Sequence, residues 1–174
     1  MTGKTFLQAV SNSEQDVVQL LLDVLRETET EYCLIGGLAV NAYAEPLISL
    51  DLDLIVVADR LEDVCSAAAA RGFKVEHFLH STNLSLPNSD LRIQLQKDAR
   101  YQTYLARAIT RDVLGYDLQV AAVEDVLEGK SWAYLDPTRR KNKRQKDLLD
   151  IARLVEAHPA LEARLPEDIQ RKLD

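Results

Sequence analysis

The sequence predicts an α/β (α+β) protein with a small mixed β-sheet flanked by helices, and two observations support this prediction. Short apolar or alternating segments of strand length lie at residues 32–37, 49–57, 73–78 and 91–96. Helical patterns separate several of them, and from Val123 onward the pattern is helical throughout. At 174 residues the chain has the length of one domain. We therefore expect a single structural domain, in which a C-terminal helical region (residues 123–174) packs on an α/β core (residues 1–122).

Hydrophobic periodicity, together with capping residues, glycines and prolines, predicts the other elements in chain order. An amphipathic helix is predicted over residues 13–28 with Ser13 as N-cap, and a short helix after the first strand closes at Glu45-Pro46. The helix at residues 61–72 stops at Gly72. The remaining predictions are a polar loop at 80–90, a helix at 99–108, strands at 109–115 and 116–122, and helices at 124–135, 143–158 and after Pro166.

Composition and charge exclude several classes of protein. The chain is 47% hydrophobic and 28% charged, and its net charge of −7 argues against a generic polyanion binder. One cationic segment, Arg139–Lys146, holds six cations in eight residues and indicates a local anion site. No run approaches the ~18 apolar residues of a membrane span, and the N-terminus lacks a signal-peptide pattern. Cys33 and Cys65 lack metal-like spacing, so we expect reduced thiols in a cytoplasmic protein.

Two aspartates interrupt one of the most apolar runs of the chain, Leu50–Val57. Residues two apart on a strand point to the same side, so Asp51 and Asp53 share one face while leucines occupy the other. Adjacent carboxylates repel each other unless a cation lies between them, and Mg²⁺ favours carboxylates combined with phosphate oxygens and water. The pair therefore predicts a metal site. The alternative is the solvent-facing side of an amphipathic strand.

Paired glycines, Gly36 and Gly37, end the preceding strand and open a short helix, where backbone amides can meet phosphate. Taken alone, such a pair marks a tight turn. The series G-G-x-A-V, a short helix and S-x-D-x-D (residues 49–53) resembles the nucleotidyltransferase (DNA polymerase β-like) superfamily. Within it, the series is most similar to the small bacterial AbiEii/MenT-like nucleotidyltransferases. The resemblance covers about residues 32–57.

The resemblance assigns roles to these residues. It implies that Gly36 and Gly37 face a triphosphate, that Ser49 is the small hydroxyl residue ahead of the acids, and that Asp51 and Asp53 hold Mg²⁺. Many members of the superfamily have a serine at the second glycine position, where this chain has Gly37.

Many members also carry a third acid on a later antiparallel strand. The corresponding strand here, residues 91–96, presents Arg92, Gln94 and Gln96 on its outward face, so that Gln94 occupies the place of the acid. Asp90 and Asp98 flank the strand and would substitute for it only in a different register. The chain therefore keeps two acids and lacks the third.

The C-terminal half contains a second set of candidates. Lys130 lies on a helix among apolar residues, and Asp147 and Asp150 share one helical face. The resemblance implies that Lys130 contacts the nucleotide phosphates and that Asp147 or Asp150 orients it or assists the acceptor. The alternatives are a lysine that reaches out to solvent and an ion-pair lattice on an exposed helix. The run Arg139–Arg144 is either a binding segment for tRNA phosphates or a solvated loop.

The predicted function is Mg²⁺-dependent transfer of a nucleoside monophosphate from a nucleoside triphosphate to a hydroxyl of tRNA or protein. Asp51, Asp53, Lys130 and Asp147 would act in catalysis, and Gly36, Gly37, Ser49 and Lys130 in nucleotide binding. The resemblance to AbiEii/MenT-like proteins implies that the protein is a toxin with a cognate antitoxin. The alternative is a non-catalytic protein of the same fold that binds a nucleotide or a partner, and Gln94 favours it.

Overall fold

The computed structural model describes residues 2–174, and seven strands in this part of the chain form one sheet. The strands are β1 (Tyr32–Ile35), β2 (Asp51–Val56), β3 (Lys74–His77), β4 (Ser81–Ser85), β5 (Arg92–Gln96), β6 (Ile109–Val113) and β7 (Tyr116–Val120). The α-helices are α1 (Gly3–Val10), α2 (Val17–Glu27), α3 (Gly36–Val40), α4 (Leu61–Ala70), α5 (Val123–Leu135), α6 (Lys141–Ala157) and α7 (Glu167–Leu173). Short 3₁₀ helices span Ala58–Arg60, Ala99–Arg107 and Pro159–Arg164. The predicted α/β class is confirmed.

The sheet is mixed and has the strand order β3-β4-β5-β2-β1-β7-β6. β1 pairs antiparallel with β2 and parallel with β7, and β2 pairs parallel with β5. The register places Ile35, the last residue of β1, directly opposite Asp53. The glycines that follow β1 and the aspartates of β2 therefore meet at the centre of the sheet.

Strand β2 is amphipathic, as its alternation predicts. Leu52 and Leu54 are buried in the core, while Asp51 and Asp53 are only half-buried on the opposite face. Helix α3 contacts β1 and β2 and also packs against α5 and α6. Because α3 links the central strands to the C-terminal helices, the helical half of the chain lies beside the two acids.

The hairpin between β6 and β7 forms at the predicted place. Val113 pairs with Tyr116, and Leu114 and Gly115 between them both have positive φ angles, 55° and 85°. Two successive residues of positive φ are the conformation of the tight hairpin turn that matches strand twist.

Five local features of the structure differ from what the sequence predicted. Helix α1 lies in a segment for which no element was predicted. Strand β4 lies inside the predicted polar loop; it pairs with β3 and β5, and its residues Thr82 and Leu84 are buried. Helix α2 begins at Val17, since the carboxylate of Asp16 rather than Ser13 accepts the capping bond from Gln19 N. The predicted helix at 99–108 is a 3₁₀ helix, and α6 begins two residues before the predicted helix.

Cys33 and Cys65 are free thiols in buried positions, as predicted. Burial raises the pKa of the Cys33 thiol to about 12, so this thiol stays protonated and unreactive at neutral pH. Among the described residues, no helix has both the length and the apolar character needed to cross a bilayer.

Candidate active site

A cavity of about 270 Å³ lies between the central strands and helices α5 and α6. All of the residues predicted for the site line it: Gly36, Gly37, Ser49, Asp51, Asp53, Lys130 and Asp147. The other polar residues at its wall are Gln94, Gln96, Asp125, Arg139, Lys143 and Lys146. The fold thus brings the glycine pair and the acid pair together with the C-terminal candidates.

Gly36 is the residue that allows β1 to pass close to the acid pair. Its φ angle is +73°, in the region that favours glycine, and a Cβ on Gly36 would overlap the Oδ2 atom of Asp53. The same Cβ would lie 3.2 Å from the Cβ of Asp53. The absence of a side chain therefore gives the Asp53 carboxylate its position beneath the turn.

The carboxylate of Asp53 lacks full compensation within the described part of the chain. Its Oδ1 atom is buried and accepts no hydrogen bond from any described residue. Burial raises the pKa of Asp53 to about 6, against the lowering effect of Lys130 and with a further increase from Asp51. Because an unpaired buried carboxylate is unfavourable, this oxygen is available for a cation that the chain itself does not supply.

Asp51 has the opposite environment. Its Oδ1 atom accepts a bond of 2.7 Å from Arg92 Nε, and its Oδ2 atom lies 3.4 Å from Lys143 Nζ. Arg92 is the register partner of Asp51 on β5, and Lys143 comes from the first turns of α6. The two predicted metal ligands therefore differ: Asp53 has a free oxygen, and both oxygens of Asp51 are paired with cations.

Ser49 and Gly37 complete the turn region. Ser49 is buried, and its hydroxyl accepts a bond of 3.2 Å from the backbone N–H of Asp51, which fixes the start of β2. A Cβ on Gly37 would lie 3.7 Å from Asp150 Oδ2 and 3.9 Å from Ser49 Oγ, which are ordinary contacts. The absence of a side chain is therefore required at position 36 and not at position 37.

Lys130 belongs to a buried ion-pair network rather than reaching out to solvent. Its side chain is 9% exposed, and Nζ lies 3.1 Å from Asp147 Oδ1 and 2.8 Å from Asp150 Oδ2. Burial alone would lower the pKa of Lys130, but the two carboxylates outweigh burial and raise it. The ammonium group is therefore charged at neutral pH, as a phosphate-binding role requires.

The two acids of the network each have a second cationic partner. Arg139 Nε lies 2.6 Å from Asp147 Oδ2, and Arg153 Nη1 lies 2.8 Å from Asp150 Oδ1. Neither acid pairs with Lys146, so the exposed ion-pair lattice considered from the sequence does not form. Of the network's cations, Lys130 and Arg139 line the cavity, and both act to lower the pKa of the Asp53 carboxyl.

Gln94 faces the acid pair, but its strand runs in the other direction from the one expected. Gln94 lines the cavity and is the register partner of Asp53, on a strand that is parallel to β2 and not antiparallel. Asp90 accepts a bond from Asn12 Nδ2, and Asp98 caps the 3₁₀ helix and pairs with Arg100. Neither flanking acid lines the cavity, so neither replaces the third carboxylate.

Aromatic residues form part of the cavity wall. Tyr101 contacts Tyr104 and Trp132 edge-to-face, with ring centroids 5.6 and 5.4 Å apart. Tyr101 and Tyr104 line the cavity, together with Gly129. This wall offers an apolar surface beside a charged one.

The predicted site residues did not include Arg92, Arg139, Arg153 or Tyr101. Arg139 was placed in a run that would be either a solvated loop or a tRNA-binding segment, whereas it is half-buried and bonded to Asp147. The outward-facing position of Arg92, two residues before Gln94, gave a signal that could have placed it at the site, and so did the i,i+3 spacing of Asp150 and Arg153 on α6. Arg139 lies eight residues before Asp147 and outside α6, and its pairing leaves no local pattern.

The residues present suit a magnesium ion. Asp53 Oδ1 is a buried oxygen that has no hydrogen-bond partner in residues 2–174, and Asp51 lies two residues away on the same face of β2. Mg²⁺ commonly takes one or two carboxylates and fills its other positions with water and substrate phosphates. The described residues contain no group of three or more His, Cys, Asp or Glu side chains that could hold a metal ion by themselves. A metal here would therefore depend on substrate oxygens.

Comparisons with known proteins show the fold. No family model matches the sequence, and no characterised protein matches it in sequence. The antibiotic-resistance factor ANT(2'')-Ia superposes with a TM-score of 0.63 at 14% identity, over 89% of this chain and 88% of its own. The lincosamide antibiotic adenylyltransferase LnuA, solved with lincomycin bound, gives 0.57 at 13% identity, over 82% and 99%.

A nucleotidyltransferase-like protein from Paracoccidioides brasiliensis superposes with a TM-score of 0.52 at 18% identity, over 80% of this chain and 74% of its own. These similarities span most of both chains in each pair. They show that the chain has the fold of nucleotidyltransferases, as the sequence predicted.

Proposed function

We propose that this protein is a Mg²⁺-dependent nucleotidyltransferase that moves a nucleoside monophosphate from a nucleoside triphosphate to a hydroxyl acceptor. One observation carries the proposal: beneath a turn whose left-handed backbone favours glycine, Asp53 lines a cavity that also holds cations, and its Oδ1 atom is buried without a hydrogen-bond partner among the described residues. That combination suits a metal ion and a polyphosphate together. The fold shared with adenylyltransferases supports it.

In the proposed reaction the acceptor hydroxyl oxygen forms a bond to the α-phosphorus, and the bond from that phosphorus to the bridging oxygen of the β-phosphate breaks. Pyrophosphate and the hydroxyl proton leave. Mg²⁺ held by Asp51 and Asp53 would supply charge neutralisation at the phosphate oxygens. Lys130, kept charged by Asp147 and Asp150, would add a fixed positive charge at the phosphates.

Each remaining predicted residue has a positioning role in this proposal. The turn at Gly36 and Gly37 would present backbone N–H groups to phosphate. Ser49 holds the start of β2 through its bond with Asp51 N. Asp147 joins Lys130 to Arg139 and so keeps both cations at the cavity wall.

The proposed acceptor is tRNA or protein, for which the exposed cations Arg140, Lys141 and Lys146 near the cavity are the supporting feature. A small hydroxylated molecule is the other acceptor class to test, because LnuA binds lincomycin and shares the fold. A role as a toxin of the AbiEii/MenT type with a cognate antitoxin rests on the sequence resemblance. Its test is growth arrest on expression that is abolished by Asp53→Asn.

A non-catalytic nucleotide-binding protein is the second candidate function. Gln94 stands opposite Asp53, where a third carboxylate would complete a two-metal site, and both oxygens of Asp51 are paired. Such a protein would bind a Mg²⁺–nucleotide complex without turnover. Binding at a hundredfold excess over Kd would stabilise the fold by about 2.7 kcal/mol.

The experiment that separates the candidates uses each of the four nucleoside triphosphates labelled at the α-phosphate. The purified protein is incubated with Mg²⁺ and, separately, with total RNA, total protein and a panel of hydroxylated antibiotics. Asp53→Asn is the inactive variant, and Asp117→Asn, an exposed position outside the cavity, is the matched control. We expect transfer of label by the wild type and by Asp117→Asn only. A thermal shift with nucleotide but no transfer to any acceptor selects the non-catalytic candidate.

A further inference from the structure

Two cations pair with the same carboxylate at the cavity wall, that of Asp51, and one of them, Lys143, lines the cavity itself. Arg92 Nε lies 2.7 Å from Asp51 Oδ1, and Lys143 Nζ lies 3.4 Å from Asp51 Oδ2. Arg92 extends from β5 and Lys143 from α6, so Asp51 bridges the sheet and the C-terminal helices. The predicted metal ligand is therefore engaged on both oxygens by this chain's own side chains.

These contacts are weak compared with the ion pairs around Lys130. The Arg92 side chain is 68% exposed and that of Lys143 38%, while Lys130 and Asp147 are 9% and 1% exposed. Exposed ion pairs contribute little to stability, whereas breaking a buried pair costs several times more. Arg92 and Lys143 are therefore the cations beside Asp51 that can change partner at little cost.

A divalent ion at Asp51 would be repelled by both cations if they stayed there. Like charges at this separation repel, and each Asp51 oxygen already serves one positive group. Entry of the metal alone would thus leave Arg92 and Lys143 beside a dication with no anion to pair with. Entry of a metal together with a triphosphate supplies that anion at the same moment.

The environment of α6 supports the need for an anion. Its first turn contains no acidic residue, and Lys141, Lys143 and Arg144 lie at the end where the helix dipole is already positive. Arg144 is satisfied by the carbonyl of Tyr134, but Lys143 has only Asp51 among the described residues. An anionic ligand would relieve this accumulation of positive charge.

We propose that Arg92 and Lys143 are triphosphate-binding residues that rest on Asp51 until metal and nucleotide enter together. This inference rests on the proposed function, because it takes a nucleoside triphosphate as the ligand. Asp51 then exchanges two weak cations for the metal, and the released cations pair with the phosphates. Lys143 is thereby assigned to the donor nucleotide, and not to the phosphates of an RNA acceptor. Metal and nucleotide should bind with positive cooperativity.

Binding measurements test the exchange without turnover. Isothermal titration calorimetry is run with Mg²⁺ alone and with each α,β-methylene nucleoside triphosphate analogue, with and without Mg²⁺. The variants are Arg92→Gln and Lys143→Gln, and the control of equal charge change is Lys172→Gln, exposed on α7 and outside the cavity. Far-ultraviolet circular dichroism and thermal melts establish that each variant is folded.

We expect one substitution to change the affinity for free Mg²⁺ and the affinity for the Mg²⁺–nucleotide complex in opposite directions. Arg92→Gln should bind free Mg²⁺ at least threefold more tightly and the Mg²⁺–nucleotide complex at least tenfold more weakly, with Lys143→Gln changed in the same directions and Lys172→Gln unchanged. Tighter Mg²⁺ binding with unchanged nucleotide affinity would mean that the cations only shield Asp51, and would overturn the proposal. Weaker nucleotide binding with unchanged Mg²⁺ affinity would overturn it too. If the wild type binds no nucleotide analogue at all, the proposed function itself fails.

Discussion

The α-carbon of Gly36 and the carboxylate of Asp53 lie so close that no side chain fits between them. A Cβ on Gly36 would overlap Asp53 Oδ2, and the φ angle of +73° at Gly36 is one that other residues adopt only at a cost. The turn after β1 and the acid on β2 are therefore one structural unit. The residue type at position 36 is set by the position of the carboxylate.

Gly36→Ala should therefore lower both the stability of the fold and the affinity for Mg²⁺–nucleotide. The left-handed conformation costs about 1–2 kcal/mol, and displacement of Asp53 adds to it. We expect a loss of about 2 kcal/mol or more in unfolding free energy by urea titration, with loss of Mg²⁺–nucleotide binding. Gly37→Ala is the matched control, because a Cβ there meets its neighbours at 3.7 Å or more. Equal effects of the two substitutions would contradict the assignment of Gly36 as the constrained position.

Asp53 should reduce the stability of the ligand-free protein at neutral pH. Its pKa in the folded state, about 6, is above the ordinary value of 3.8, so the folded state binds more protons than the unfolded state between these values. Stability must then fall as pH rises from about 4 to 6. Asp53→Asn, which removes the charge but keeps the shape, should melt a few degrees higher at pH 7 and show no such gain near pH 4.

Thermal melts of both proteins from pH 4 to pH 8, without and with Mg²⁺ and nucleotide, check this prediction. Ligand should raise the melting temperature of the wild type and not of Asp53→Asn, so that the order of stability reverses when ligand is present. A pH-independent difference between the two proteins would show that Asp53 does not titrate in this range. Asp117→Asn should follow the wild type throughout.

The sequence gives the central part of the site because that part is local. Alternation along β2 places Leu52 and Leu54 in the core and Asp51 and Asp53 together on the other face, and a glycine pair signals the turn. By contrast, β4 consists mostly of polar residues. It is a strand because it pairs with β3 and β5, and only the assembled sheet shows that pairing.

The C-terminal network shows what sequence alone leaves out. Lys130 and Asp147 lie on different helices, and no pattern indicates that both are buried or that Arg139 also pairs with Asp147. Helical spacing of Asp147 and Asp150 fits an exposed lattice and a buried network equally well. The packing of α5 on α6 decides between them.

Gly37→Ser should stabilise the protein. Asp150 Oδ2 is buried and close to Lys130 Nζ but receives no aligned hydrogen bond from the described residues, and a Cβ at position 37 would lie 3.7 Å from it. A serine hydroxyl there could donate to this oxygen, for a gain of about 1 kcal/mol. Gly37→Ala carries the same change in backbone freedom without the hydroxyl, so the difference between the two variants isolates the hydrogen bond. Serine no more stable than alanine would show that the hydroxyl does not reach Asp150.

Removing the central cation of the buried network should destabilise the fold strongly. Lys130→Met keeps the length of the side chain but leaves Asp147 and Asp150 with one cation each, Arg139 and Arg153. Breaking a buried ion pair from one side costs about 3–5 kcal/mol, and we expect a value near the lower end because these arginines remain. Urea unfolding at pH 7 measures it, with Lys172→Gln as the surface control.

A double-mutant cycle then tests whether Lys130 and Asp150 act on each other directly. Asp150→Asn alone removes the carboxylate charge and leaves Lys130 paired with Asp147. Because the Lys130 ammonium lies 2.8 Å from Asp150 Oδ2, the double variant should lose at least 1 kcal/mol less than the two single losses combined. Strict additivity would mean that the carboxylate of Asp150 is held by Arg153 alone, and that Lys130 is fixed at the cavity wall only through Asp147.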